Sequence, residues 1–142
     1  AQWLNLWFGN EATDPTISGW DADPDSDGLS NLQEWAFNLS PAISESLTMS
    51  RFGTRGLPRM STSDASGSTS LSLQYLRLKK EPGITYHPEF ASSPSGEWLA
   101  PSAASSENVE PIDQLWERVT VTEPALPGVT ARFARVRLEL AP

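Results

Sequence analysis

The stretch that decides the fold class is Leu71-Ser72-Leu73-Gln74-Tyr75-Leu76-Arg77-Leu78, near the middle of a chain of 142 residues. As far as Tyr75, apolar side chains alternate with polar ones, which is the period of a β-strand with one buried face. Leu76 and Leu78 continue the apolar pattern in the opposite phase. This change indicates either a bulge or a strand end that is buried on both sides. The stretch therefore predicts a strand of a packed sheet.

Three other stretches downstream share this alternation, namely residues 84–90, 119–122 and 134–140. Clusters of Gly, Pro and Ser separate them, and short strands between such clusters favour an antiparallel β-sandwich over a parallel α/β sheet. The Ser-rich residues 61–72 and 92–106 are predicted to be long loops or irregular edges. The predicted class is mainly β, with a helical unit placed N-terminal to the sandwich.

The N-terminal part of the chain has helical periodicity instead. A first short helix is indicated by Trp3, Leu4, Trp7 and Phe8, with Gly9-Asn10 as its end. A second helix is predicted over residues 29–39, ended by Ser40-Pro41. We therefore expect a helical unit over residues 1–50 and a β-sandwich over residues 51–142, together forming one compact domain.

Residues 23–34, DPDSDGLSNLQE, fit every fixed position of the EF-hand calcium-loop pattern D-x-[DN]-x-[DN]-G-x5-E. Calcium takes six to eight oxygen ligands, which such a loop supplies from its positions 1, 3, 5, 7, 9 and 12. Gly28 occupies position 6, where the chain turns sharply. The alternative is an acidic turn ahead of a helix, but turn chemistry alone does not require acids at alternate positions and a glutamate at position 12. The predicted calcium ligands are Asp23, Asp25, Asp27, the backbone carbonyl of Leu29, Asn31 (directly or through a water) and Glu34. Because a helix is predicted after the loop and no proper helix before it, residues 1–50 are expected to form a helix and calcium-loop unit that resembles a half EF-hand.

The charge distribution agrees with a bound cation. The net charge is -8, and residues 1–50 contain eight acids and no Lys or Arg. A divalent cation would offset the repulsion among the clustered carboxylates of the loop. The acidic balance and the lack of a basic stripe argue against nucleic acid and anionic membranes. No apolar run reaches the ~18 residues of a membrane span, and the absence of cysteine excludes disulfides and thiolate sites.

Residues 23–36 resemble the single calcium loops of dockerins and thrombospondin type 3 repeats. The chain is also similar, over nearly its whole length, to a C-terminal accessory module of large secreted bacterial proteins. That resemblance implies a secreted, non-catalytic part of a larger parent protein in cis. Dockerins carry two such loops and this chain has one, so binding to a cohesin is not expected. The further stretches that carry the resemblance are residues 3–8, 56–59, 71–78, 84–98 and 132–138.

No residue pattern indicates an enzyme. His87 is the only histidine, and no G-x-S-x-G nucleophile elbow occurs. Of the six tryptophans, Trp20 and Trp116 fit no periodic stripe, and they are the predicted members of an exposed aromatic platform for a polysaccharide. The alternative is a structural spacer, terminal cap or surface-attachment module with no ligand other than calcium. Since calcium sites of millimolar affinity belong outside the cell, we expect an extracellular protein.

Overall fold

The computed structural model describes residues 2–44, 46–65, 68–79, 83–124 and 131–141, with residues 65 and 68 described by their backbone only. The chain divides into two compact units, Ala1–Leu57 and Pro58–Pro142. Within the described ranges, no helix has the length and apolar character needed to cross a membrane.

The N-terminal unit contains short helices: α1 (Gln2–Phe8), a 3-10 turn (Gly9–Glu11), α2 (Pro15–Ser18) and α3 (Asn31–Ala36). The predicted end of the first helix is confirmed, since the α-helical conformation stops at Phe8. Three tryptophans stack in a row across these elements, with ring centroids 6.1 Å apart for Trp3 and Trp20 and 4.8 Å apart for Trp20 and Trp35. The apolar core of this unit comprises Leu29, Ala36, Phe37, Leu39 and Met49.

The second helix is shorter than the predicted residues 29–39. It begins only at Asn31, because Ser30 has extended backbone angles and acts as the N-cap. It ends at Ala36, and Asn38 has a φ of 58°, a left-handed conformation that does not continue a helix. Leu29 and Leu39 are nevertheless buried, with 8% and 3% of their surface exposed. The apolar spacing over residues 29–39 therefore indicates which residues are buried, and these include residues on both sides of the helix.

The C-terminal unit is an antiparallel β-structure of two sheets. The four-stranded sheet has the order β1-β2-β5-β4, and the two-stranded sheet pairs β3 with β6. The predicted fold class, mainly β with antiparallel strands in two sheets and N-terminal helices, is confirmed. The strands are β1 (Arg59–Ala65), β2 (Ser68–Leu78), β3 (Ile84–Ala91), β4 (Ser106–Pro111), β5 (Trp116–Glu123) and β6 (Phe133–Leu140).

The core of this unit lies on one face of β2 and β5, where Leu71, Leu73, Tyr75, Val119 and Val121 are each at most 4% exposed. The ring of Tyr75 stacks on that of Tyr86 from β3, with centroids 6.0 Å apart, and this contact joins the two sheets. The pairing of β2 with β5 runs without interruption from Leu71 to Leu78. Leu76 is fully buried, so the change of phase reflects a strand end buried on both sides and not a bulge.

The Ser-rich residues 61–65 and 68–72 form strands and not a loop. They lie in β1 and the first half of β2, which pair along their whole length as a hairpin, as in Ser61 with Ser72. Serine is tolerated on either face of an edge strand. Backbone hydrogen bonds between β1 and β2 therefore form these strands without an apolar pattern. The second Ser-rich stretch is largely irregular, held by a bridge between Phe90 and Leu99. Sequence analysis missed β4 because its six residues are all exposed and show no alternation of apolar burial.

Candidate metal site

The acidic loop (residues 23–34) is a tight turn held by its own aspartates. The carboxylate of Asp23 accepts hydrogen bonds from the backbone N–H groups of Asp27 at 3.1 Å and Gly28 at 2.9 Å. Asp27 accepts one from the N–H of Leu29 at 2.9 Å. Gly28 has a φ of 90°, which opposes a side chain, although nothing lies within 4 Å of where its Cβ would be. The backbone conformation, and not lack of space, therefore requires the glycine.

Backbone hydrogen bonds join the two ends of the acidic loop. The N–H of Asn31 donates to the carbonyl of Ala22 at 2.9 Å, and the N–H of Leu32 donates to the carbonyl of Trp20 at 3.0 Å. The start of α3 is thereby fixed beside the segment that precedes the loop. These hydrogen bonds bring the residues just before the acidic loop close to the residues at its C-terminal end.

A capping box begins α3. The Ser30 hydroxyl accepts from the N–H of Gln33 at 3.4 Å, while the N–H of Ser30 donates to Gln33 Oε1 at 2.9 Å. This box sets the direction of the helix that carries Asn31 and Glu34. Sequence analysis did not identify it, although Ser followed by Gln three positions later is a readable signature of a helix start.

The structure brings the three predicted aspartates together. Carboxylate oxygens of Asp23, Asp25 and Asp27, one from each residue, all lie within 4.8 Å of one another. Three negative charges this close repel one another, and a cation among them would reverse the sign of the interaction. This acidic triad could hold a metal ion.

A second observation about the acidic loop concerns buried oxygen atoms that lack a hydrogen-bond partner. Within the described ranges, six buried side-chain oxygens have no hydrogen-bond partner, and five of them belong to Asp25, Asn31 and Glu34. Asn31 and Glu34 are fully buried, with 0% of their surface exposed. Buried polar atoms in proteins nearly always have a partner, so an unpartnered group requires an explanation such as an ion. These oxygens stand at predicted ligand positions, and the sixth is Gln74 Oε1 in the other unit.

The electrostatics of these carboxyls follow from burial and mutual repulsion. Burial, followed by the charges of Asp25, Asp27 and Asp23, raises the pKa of Glu34 to about 8. Burial and then the charge of Asp27 also raise the pKa of Asp25. The charges of all three aspartates act on Glu34, although its carboxylate is not part of the group that lies within 4.8 Å. An opposite charge at their centre would favour the ionised form of each group.

The donor set is made of oxygen atoms, which are the ligands of hard cations. The structure brings carboxylate oxygens of Asp23, Asp25 and Asp27 together, and Glu34 lies outside that group. Asn31 and Glu34 add buried oxygens without a partner at loop positions 9 and 12. Leu29, predicted to ligate through its carbonyl, has a buried side chain, and its N–H takes part in the turn. The side chains present therefore fit a hard cation such as calcium.

The two predicted platform residues are not exposed aromatics. Trp116 is only 9% exposed, and its backbone N–H donates to the Asp113 carboxylate at 2.8 Å. Trp20 lies between the rings of Trp3 and Trp35. The expectation that Trp116 belongs less to the core than the other tryptophans is wrong, whereas Trp20 is half-buried, as are Trp3, Trp35 and Trp98. Trp116 is the first residue of β5, and the backbone carbonyl of Trp20 accepts a hydrogen bond from α3. Neither position belongs to a periodic apolar pattern in the sequence.

His87 is part of a charged ladder on the two-stranded sheet. Its Nε2 lies 2.9 Å from Glu139 Oε2, and Arg137 contacts both Glu139 at 3.5 Å and Glu89 at 3.3 Å. Arg135 also pairs with Glu89, at 3.0 Å. Cross-strand charge pairs of this kind stabilise a sheet modestly.

No protein-family model, no curated protein and no solved structure matches this chain. The resemblance to dockerin and thrombospondin type 3 loops, and to an accessory module of secreted proteins, therefore stays a prediction.

Proposed function

We propose that this chain is a non-catalytic module that binds one calcium ion in the acidic loop and uses it to stabilise the N-terminal unit. The observation that carries this proposal is the set of five buried, unpartnered oxygens of Asp25, Asn31 and Glu34 beside the acidic triad. Leaving a buried polar group unpaired costs roughly 1 to 3 kcal/mol, and more when the group is charged. Coordination to a cation would give each of these atoms a partner.

Calcium is favoured over other cations by the chemistry of the donors. Thiolates are absent from the chain, and the only histidine, His87, lies in the other unit, so zinc and copper lack their preferred ligands. Magnesium demands six near-ideal positions and keeps several waters, whereas calcium accepts more oxygens with flexible geometry. Several buried carboxylate and carboxamide oxygens on a loop of EF-hand spacing fit the calcium preference better.

Extracellular location is part of the proposal. EF-hand-type loops in extracellular modules bind calcium with dissociation constants of about 10⁻⁴ to 10⁻³ M, which match the calcium level outside cells. A site whose dissociation constant is at or below the surrounding calcium concentration is at least half occupied, so the ion would act as a structural element. We place the module in a larger secreted protein in cis, as the resemblance of its loop and strands implies.

Within this proposal, a structural role as spacer, cap or attachment module is favoured over polysaccharide binding. Stacking on a sugar ring needs an exposed aromatic face, and Trp116 and Trp20 are packed in their units. Polysaccharide binding stays a prediction that affinity electrophoresis against a panel of glycans would test. Retention on any glycan that survives high salt would favour it, because salt screens charge-driven adhesion.

Calorimetric titration with calcium, paired with thermal melts in calcium and in chelator, tests the proposed function. We expect one ion per chain. At a calcium concentration about 100 times the dissociation constant, the native state would gain about 2.7 kcal/mol. Magnesium at the same concentration should give a much smaller shift of the melting temperature. Coincident melts and no heat of binding would refute the proposal.

A pair of matched variants locates the site. Asp25→Asn removes the charge of a loop carboxylate whose two oxygens are unpartnered, and Asp21→Asn removes an exposed charge just outside the loop. We expect Asp25→Asn to lose most of the calcium response and Asp21→Asn to keep it. Equal losses in the two variants would mean that calcium acts through general screening of the acidic N-terminal unit.

A further inference from the structure

The Asn31 side chain makes two different kinds of interaction. Its Nδ2 donates hydrogen bonds to the carbonyls of Ile17 at 2.9 Å and Gly19 at 2.8 Å, both in the segment that precedes the acidic loop. Its Oδ1 is buried and has no partner. The whole residue has no exposed surface. One end of the carboxamide thus holds the preceding segment while the other end is free to accept.

The two carbonyls determine which way this carboxamide points. A carbonyl can only accept a hydrogen bond, so the amino group of Asn31 must face Ile17 and Gly19. The opposite orientation would place Oδ1 against two other acceptors. Oδ1 is consequently turned away from this segment, at position 9 of the acidic loop, where a ligand oxygen is expected.

On the strength of this geometry, and resting on the proposed calcium function, we infer that Asn31 is a positioning residue that couples the ion to the segment around α2. Calcium holds Oδ1, and the same planar group then holds Ile17 and Gly19 in place. Residues 17–19 lead directly into Trp20, whose ring stacks on Trp35. Calcium occupancy therefore sets the order of the segment that carries the tryptophan stack, in addition to that of the loop.

Aspartate cannot replace asparagine in this role. Asn31→Asp keeps an oxygen for the ion and adds a negative charge, so simple electrostatics would predict equal or stronger calcium binding. Its second oxygen, however, would face the carbonyls of Ile17 and Gly19 with no proton to donate. The segment around α2 would be released even with calcium bound. A variant that binds calcium but releases the segment around α2 distinguishes the coupling role from that of an ordinary ligand.

Hydrogen exchange of the full chain with and without calcium measures this coupling. The N–H groups of Ile17, Ser18 and Gly19 are hydrogen-bonded within the turn of α2, so their exchange reports on its opening. In the natural sequence, calcium should slow exchange in this segment and in the acidic loop, in α2 by about tenfold. In Asn31→Asp, calcium should still protect the loop and no longer protect α2.

The matched control is Asn38→Asp. Asn38 also donates its amide to a backbone carbonyl, that of Thr54 at 3.0 Å, and lies outside the acidic loop. It should keep calcium protection in both the loop and α2. Should Asn31→Asp fail to fold, Asn31→Ser supplies the same comparison, because its hydroxyl is too short to reach both carbonyls.

The outcomes separate this inference from the proposed function. Calcium protection of α2 that persists in Asn31→Asp or Asn31→Ser overturns the coupling role and leaves the calcium site standing. Protection of the loop without any protection of α2 in the natural sequence overturns it as well. If calcium protects neither region in the natural sequence, the proposed function itself is wrong and the coupling falls with it.

Discussion

Glu34 is the residue whose surroundings are hardest to explain without a ligand. It is fully buried in a six-residue helix, neither of its carboxylate oxygens has a hydrogen-bond partner, and the charges of three aspartates raise its pKa. A lone buried carboxylate is strongly disfavoured unless it is paired, neutralised or bound to metal. Position 12 of the EF-hand pattern supplies a bidentate ligand, which would use both oxygens at once.

Glu34→Gln tests this residue with little change of shape. In chelator at pH 7 we expect the variant to be at least as stable as the natural sequence, because Glu34 must either take up a proton on folding or bury a charge near the aspartates, and an amide does neither. In calcium it should lose nearly all of the stabilisation, about 2.7 kcal/mol at 100 times the dissociation constant. Thermal melts in the two conditions give both values, and Glu11→Gln, an exposed acid in the same unit, is the control. A full calcium response in Glu34→Gln would contradict the assignment of position 12.

Features of the acidic loop could be predicted from the sequence where the residues involved are close together in the chain. The positions of Asp23, Asp25, Asp27 and Glu34 follow from local spacing, because twelve consecutive residues contain the pattern. The amide contacts of Asn31 join it to carbonyls 14 and 12 residues away, and no local pattern encodes them. Long-range contacts of this kind are visible only once the chain has folded.

The distinction between local sequence patterns and long-range contacts applies to the strands as well. Strands β2, β3, β5 and β6 carry apolar residues at alternate positions along much of their length, so their period is readable in the sequence. Strands β1 and β4 lie at the two edges of the four-stranded sheet and carry mostly exposed polar residues. Their formation depends on backbone pairing to a neighbour, which leaves no apolar trace.

The end of β5 is fastened to two other parts of its unit by a buried acid. The Glu123 carboxylate accepts from the N–H and hydroxyl of Ser102, at 2.6 and 2.9 Å, and lies 3.6 Å from the Arg132 guanidinium. Its side chain is only 3% exposed. This one group therefore connects the irregular segment before β4 and the residue before β6 to the four-stranded sheet.

Glu123→Gln removes the charge that these donors and Arg132 share. Breaking a buried pair by removing one partner typically costs 3 to 5 kcal/mol, and we expect a loss of about 3 kcal/mol. Urea unfolding followed by circular dichroism measures it. Glu107→Gln is the comparison, since its ion pair with Arg77 at 3.5 Å is exposed and Arg77 also binds Glu117. That variant should lose less than about 1 kcal/mol, and similar losses in the two would contradict the role of Glu123.

At the scale of the whole molecule, the tryptophans show why periodicity is an incomplete guide to exposure. Trp116 was predicted to be a surface residue because it stands in no apolar stripe, yet it is buried at the start of a central strand. Within the described ranges the most exposed aromatic side chain is Phe52, at 65%, with Trp7 at 41%. Burial is a property of how elements pack, so a residue at the end of an element carries little periodic signal.

The contact between the two sheets predicts how the C-terminal unit responds to alkali. Tyr75 is 1% exposed, and burial raises its pKa to about 12 from the ordinary value of about 10. Below pH 10 the phenol is neutral in both the folded and the unfolded chain. Between about pH 10 and 12 the unfolded chain loses this proton while the folded chain keeps it, so the free energy of unfolding falls with rising pH.

The expected decline is at most about 1.4 kcal/mol per pH unit, or about 2.7 kcal/mol by pH 12, in addition to that of other titrating groups. Urea unfolding at a series of pH values measures the slope, and tyrosinate absorbance of the folded protein follows ionisation directly. Tyr75→Phe should lose this part of the slope, because it has no phenol at the sheet contact, even if its stability at pH 7 is lower. Tyr86→Phe removes the other tyrosine and should keep the contribution of Tyr75. Equal slopes in the natural protein and in Tyr75→Phe would mean that the Tyr75 phenol reaches solvent without unfolding, which would contradict the tight packing of the two sheets around it.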